Sequence, residues 1–205
     1  SPPKRGASPA RRPDLSRYMG ATVTAFEAIA AGASGEARFA ENENDIVTQL
    51  SAILDRAAGQ TTELVICMDT TESMLNDIEA MRKKAPAMLR SRLKDFPSLR
   101  LGIVLYRDYF EEYLTKRLDF TSELGVFEEE LKAIRVTGGR DIPEAVYEAL
   151  NSALVEFPWS AQRRLVVLIG DAPPHPIPRG SVDAATVQEA ASRLGVEMDV
   201  IILPE

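Results

Sequence analysis

The chain has 205 residues, 45% of them apolar and 27% charged, with 13 Pro, 12 Gly, a single Cys and a formal charge of −7. That composition belongs to a folded α/β-type chain and excludes low-complexity polymers, disulfide scaffolds and Cys-rich zinc modules. The charge is uneven: residues 1–17 hold Lys4, Arg5, Arg11, Arg12 and Arg17 against Asp14, a local +4 that leaves −11 on residues 18–205, a balance that argues against nucleic acid as the main partner.

In chain order, residues 1–17 have the Pro, Ser and Arg content of a solvated leader. The Ala- and Gly-rich stretch that follows predicts a largely irregular extension over 1–44, with at most a short helix near 22–31. The main domain is expected over 45–205. It opens with a helix at 45–58, where Ile46, Leu50, Ile53, Leu54 and Ala57 recur at helical spacing and Gly59 supplies a stop. Residues 64–68 (LVICM) form an apolar run, as in a strand buried on both faces, and Cys67 inside it reads as core.

A helix from about Ser73 carries Met74, Ile78, Met81, Ala85, Leu89 and Leu93 on one stripe, with Pro86 predicting a kink or a join between two helices. Residues 101–106 (LGIVLY) read as a second buried strand and 113–120 as an edge strand. A helix with Leu124, Phe127 and Leu131 follows, and another with Val146, Leu150 and Leu154, whose first turn holds Pro143. Residues 165–169 (LVVLI) read as a third buried strand; a helix over 182–194 then leads to a last strand at 200–203. This alternation predicts a doubly wound, mostly parallel sheet flanked by helices, a Rossmann-like α/β fold. The helix at 45–58 is expected to sit on the sheet, burying Leu50 and Leu54.

Ligands of such sheets bind at the carboxyl ends of the strands, and three loops there carry chemistry. Asp69-Thr70-Thr71-Glu72-Ser73 offers one carboxylate and two hydroxyls at alternate positions, a partial cage for a hard cation such as Mg²⁺. The second loop runs Thr137-Gly138-Gly139-Arg140-Asp141-Ile142-Pro143-Glu144, and the third places Asp171 just past a buried strand. Taken singly, Asp69, Ser73 and Asp141 would serve equally as helix caps. Arg107 and Asp108 read as a mutual ion pair in preference to rim residues near the site, His175 as a surface or rim residue, and Trp159 as a loop anchor.

DTTES at 69–73, TGGRDIPEAVYEAL at 137–150 and LVVLIGDAPPH at 165–175 together resemble the three metal loops of the von Willebrand factor type A domain, and LGIVLYRDY at 101–109 resembles its second strand in the form common among bacterial members. The resemblance implies a metal-ion-dependent adhesion site with Asp69, Thr71, Ser73 and Asp171 as metal residues, Asp141 standing where the family commonly has Thr, and Thr137 as the alternative to Asp141. It implies Mg²⁺, with Mn²⁺ or Ca²⁺ as substitutes, and an interaction module, not an enzyme, that grips an Asp or Glu of a protein partner. Two rivals are a Mg²⁺-dependent phosphotransfer enzyme of haloacid-dehalogenase type, with Asp69 as nucleophile, and a scaffold whose metal site is unused. The first would want Asp at position 71, where this chain has Thr71. No run is apolar enough to span a membrane. The start at Ser1 and the Pro- and Arg-rich leader favour an exported protein.

Overall fold

The apolar runs are the strands of one six-stranded sheet in a computed structural model that describes residues 13–139 and 142–205. β2 (Thr62–Asp69) is buried along all eight residues. It lies between β3 (Leu99–Tyr106) and β5 (Arg163–Gly170), both parallel to it. β6 (Glu197–Ile202) continues the sheet beyond β5, and β1 (Ala37–Phe39) closes that edge. The other edge is β4 (Thr115–Thr121), antiparallel to β3, with Lys116, Arg117 and Asp119 exposed and the rest half-buried. The order is β1-β6-β5-β2-β3-β4, so the mostly parallel, doubly wound expectation holds.

Successive strand residues face opposite sides, and the two sides build separate cores. Leu64, Ile66, Met68, Ile103 and Val167 pack under α2 (Asp45–Asp55), α3 (Leu75–Arg92) and α4 (Leu124–Ala133). Val65, Cys67, Val104, Val166 and Leu168 pack under α1 (Gly20–Gly32), α5 (Val146–Val155) and α6 (Ala184–Leu194). Leu50 and Leu54 of α2 are fully buried in the first core, as expected of a helix seated on the sheet.

Three local expectations need correction. Residues 20–39 are more ordered than expected: the short helix near 22–31 is α1, which buries Phe26 and Ile29 against the sheet, and β1 pairs with β6. Pro86 does not divide two helices, since α3 runs as one element from Leu75 to Arg92. Pro143 is not in the first turn of α5, which begins at Val146; instead Glu144 forms an isolated parallel bridge with Pro174. The basic leader over residues 1–12 lies outside the described residues.

β2 connects rightward to β3, whereas β5 enters on its other side, so the topological switch point falls between β2 and β5. The chain emerges there at Asp69 on one strand and Asp171 after the other. Crevices at such switch points are where open α/β sheets bind ligands.

Candidate functional site

Backbone hydrogen bonds tie the strand-tip loops together. The Thr137 N–H donates to Thr70 O (3.2 Å), and the Glu72 N–H donates to Gly138 O (3.2 Å). The Glu144 N–H donates to Pro173 O (3.0 Å) and the Ala145 N–H to Arg107 O (3.1 Å). Two glycines permit this crowding. Gly139 has φ +89°, and a Cβ there would lie 2.9 Å from the Thr71 Cβ; at Gly170 it would lie 2.6 Å from the Tyr106 hydroxyl. From the far side, the Thr22 hydroxyl of α1 donates to Asp171 O (2.9 Å), so the extension read as irregular buttresses the third loop.

Within the first loop, alternate side chains diverge as their spacing predicts. Thr70 faces away from the crevice: its hydroxyl pairs with Tyr113 Oη (2.6 Å) and lies 3.1 Å from Tyr106 O. Asp69 is fully buried, and its Oδ1 accepts from the Thr71 N–H (2.7 Å). The Thr71 hydroxyl lies 3.3 Å from that of Ser73. Thr71, Ser73 and Asp171 line one cavity of about 280 Å³ with Met19, Gly139 and Glu144. The structure thus brings Asp69, Thr71, Ser73 and Asp171 to one strand-tip cluster. Thr137 is exposed and lies outside that cavity's lining, and Asp141 lies outside the described residues.

Burial and mutual repulsion dominate the electrostatics of the cluster. Burial pushes the Asp69 carboxyl up to about 7; the nearby Asp171 adds to the rise, while the Thr71 hydrogen bonds and Arg107 oppose it. Burial also raises Asp171, against the pull of the Ser73 hydroxyl. Glu144, 2% exposed, is pushed up to about 9 by burial and then by the charges of Asp69, Asp108 and Asp171. Asp69 Oδ2, Asp171 Oδ1 and Glu144 Oε2 are buried oxygens with no hydrogen-bond partner. Native proteins pair nearly all such atoms, so each unpaired one asks for a ligand or water. Among the described residues, however, no three His, Cys, Asp or Glu side chains gather closely enough to hold a metal by themselves. Hydroxyls and water would have to supply the remaining oxygens, which suits Mg²⁺.

A second ring of side chains was misjudged from sequence. Arg107 does not pair with Asp108. It is buried, with its guanidinium donating to Thr70 Oγ1 (3.2 Å), Arg135 O (2.9 Å) and Glu112 (3.2 Å), and stacked over Tyr113. Asp108 instead accepts from His175 Nε2 and lies 3.5 Å from Arg179. His175 is therefore a buried latch between the β3 and β5 loops, not a rim residue. Trp159 is a loop anchor as read, with its indole N–H donating to Ala153 O and Leu154 O. The residue the sequence reading missed is Glu144; its signal was an acid two residues before a helix start, which resembles ordinary first-turn chemistry.

A sequence model of the von Willebrand factor A domain matches residues 63–194. The chain belongs to that family. The A domain is also 26% identical over 115 residues to an ariadne-like RING finger protein of Acanthamoeba polyphaga mimivirus; the match takes in 55% of this chain and 11% of the relative. Among solved structures, it is similar in fold to proximal thread matrix protein 1 of the mussel byssus, with a TM-score of 0.50, 13% identity, and 76% of this chain and 41% of that one covered. Two further similarities have a TM-score of 0.45. One is to the SpRpn10 VWA domain (15% identity, 71% and 89% covered), the other to an aerotolerance-related membrane protein from Bacteroides fragilis (22% identity, 69% and 67% covered). No described helix of this A domain is long and apolar enough to cross a membrane.

Proposed function

We propose that this A domain is a protein-interaction module that holds a divalent cation, Mg²⁺ or Mn²⁺, at the β2/β5 switch point and uses it to grip an acidic residue of a protein partner. Asp69, Thr71, Ser73 and Asp171 would hold the ion, with Asp141 from the second loop. The observation that carries this reading is the pair of buried, unpartnered oxygens, Asp69 Oδ2 and Asp171 Oδ1, beside two hydroxyls 3.3 Å apart. Uncompensated buried carboxylates cost several kcal/mol each, and a cation removes that cost. When bound, the ion would supply Lewis-acid affinity for a carboxylate oxygen.

The surroundings suit a docking surface. Next to the cavity, and sharing Met19 and Ile142 with it, runs an apolar groove of about 870 Å³ lined by Ala25, Tyr147 and Pro173. Ile142, Ile177 and Phe110 stand 62%, 80% and 98% exposed on loops at this end of the sheet, and exposed apolar side chains beside a polar anchor are typical of interaction sites. The full burial of Asp69 disfavours the phosphotransfer alternative, whose nucleophile must meet its substrate. Calorimetric titration with Mg²⁺ and Mn²⁺ tests the reading: the native protein should bind one ion and the Asp69→Ala variant none. Absence of binding by the native protein would refute it.

A further inference from the structure

The strand-tip cavity has walls that do not come from the three loops. Met19 and Glu205 line it together with Thr71, Ser73 and Asp171, and both lie outside residues 63–194, the span that the A-domain model matches. Glu205 is carried there by the segment that leaves β6. The Leu203 N–H donates to Gly170 O (3.1 Å), at the start of the third loop, and the Glu205 N–H donates to Arg17 O (3.0 Å), just before α1. These two bonds hold residues 203–205 at the cavity. Among the described residues, the Glu205 carboxylate has no hydrogen-bond or ion-pair partner. The Arg17 guanidinium turns instead to Glu41 O (2.8 Å), and buried Arg107 serves Thr70, Arg135 and Glu112. Burial is the main cause of the raised Asp171 carboxyl, and the charge of Glu205 adds to it. The acids of the cluster differ in freedom: Asp69 is fully buried, whereas Glu205 is exposed. A buried acid is committed to the site at all times, while an exposed one on a flexible stem reaches the ion or the solvent at little more than the cost of rotamer entropy.

We infer that Glu205 is an internal carboxylate ligand of the cation, completing its oxygen shell while no partner is bound and giving way to the acidic residue of a partner. The inference rests on the metal reading of the preceding subsection. Without a cation, like charge keeps Glu205 apart from Asp171, in keeping with the absence of any close group of three acids among the described residues. A divalent ion reverses that force. A carboxylate tethered beside the ion competes at an effective concentration on the order of millimolar. Glu205 thereby sets the threshold that a partner's acid must exceed.

The test compares the native chain with Glu205→Gln, each loaded with Mn²⁺, and reads the calorimetric Kd and the water-proton relaxation of the bound ion. Because Glu205 is exposed, the variant should unfold at the native temperature. Its bound Mn²⁺ should carry one more exchangeable water than in the native chain, and its Kd for Mn²⁺ should rise about 10-fold. Acetate, standing for a partner's carboxylate, should displace that water from the variant at a lower concentration than it acts on the native chain; equal concentrations would overturn the inference. A raised Kd with unchanged hydration would make Glu205 a distant charge and would overturn it too, as would no change in either. These outcomes leave the metal reading standing, since the native chain still binds Mn²⁺. Failure of the native chain to bind Mn²⁺ would overturn the inference together with the reading beneath it.

Discussion

β2 carries a buried carboxylate near each of its ends. Glu63, 1% exposed, accepts hydrogen bonds from the Ser160 and Ala161 backbone N–H groups, the Ser160 hydroxyl and Arg100. Burial alone would raise its carboxyl, but those bonds outweigh it and hold the group below the usual Glu range. On the neighbouring β6, Asp199 is fully buried yet meets Arg56 at 2.6 Å and the Glu36 N–H at 2.8 Å. Six residues along β2, Asp69 is as deeply buried as Asp199 and pushed up to about 7, with one oxygen unpartnered. The same strand thus ends in a closed acid site at its amino end and an open one at its carboxyl end. A satisfied buried acid belongs to the architecture, while an unsatisfied one stores an affinity for whatever cation completes it.

The largest expected effect lies at the closed end. Glu63→Ala removes the buried acceptor for two backbone N–H groups and the ion-pair partner of Arg100, and should lower unfolding free energy by about 3–5 kcal/mol in urea titration. A loss below about 1 kcal/mol would show that the two ends do not differ as described. At the open end the sign should reverse. Asp69→Asn keeps the acceptor for the Thr71 N–H but removes the charge, so in EDTA at pH 8 it should stabilise the protein by about 2 kcal/mol. The same variant should lose the rise in unfolding temperature that Mg²⁺ gives the native protein.

The pH profile sharpens the contrast. The folded Asp69 carboxyl holds its proton up to about 7. Its contribution to metal-free stability is therefore complete below the ordinary Asp range and lost as pH rises through about 7. Glu63, held low, contributes above the ordinary Glu range and loses that contribution as pH falls through its depressed folded value. In EDTA the native stability should fall toward acid through Glu63 and, through Asp69, as pH rises from about 4 to about 7. Asp69→Asn should make the fall with rising pH shallower, leaving the share of Glu144 and Asp171, and should not alter the acid one, which denaturant titrations across pH would resolve. The smallest effect belongs to the loop latch. Asp108→Asn weakens the bond from His175 and should cost about 1 kcal/mol, with a modest loss of Mg²⁺ affinity because the latch holds the loop that follows Asp171.

Much of this was legible in the chain. Runs such as LVICM and LVVLI announce strands buried on both faces, since only a central strand of a covered sheet can hide every residue. The period of two in Asp69, Thr71 and Ser73 likewise foretells which side chains share a direction, and Thr70, facing Tyr113, shows the alternation at work. β1 left no such trace: its three residues are all half-buried, and it exists because β6 offers an open edge. α1 was legible only as a short helix near 22–31, because its Ala-rich sequence has little periodicity and the burial of Phe26 and Ile29 is imposed by the sheet beneath.

The sequence by itself determined the order of elements, the two-sided core and the placing of Asp69 and Asp171 at strand ends, because periodicity and strand termination are local properties of the chain. Tertiary structure alone decided which acids are matched. Glu63 finds Ser160 and Ala161 about a hundred residues away, Asp108 finds His175 in preference to its neighbour Arg107, and Glu144 is buried where its backbone bridges to Pro174. A carboxylate's energy depends on what surrounds it within a few ångströms, and those surroundings are assembled only when distant segments meet.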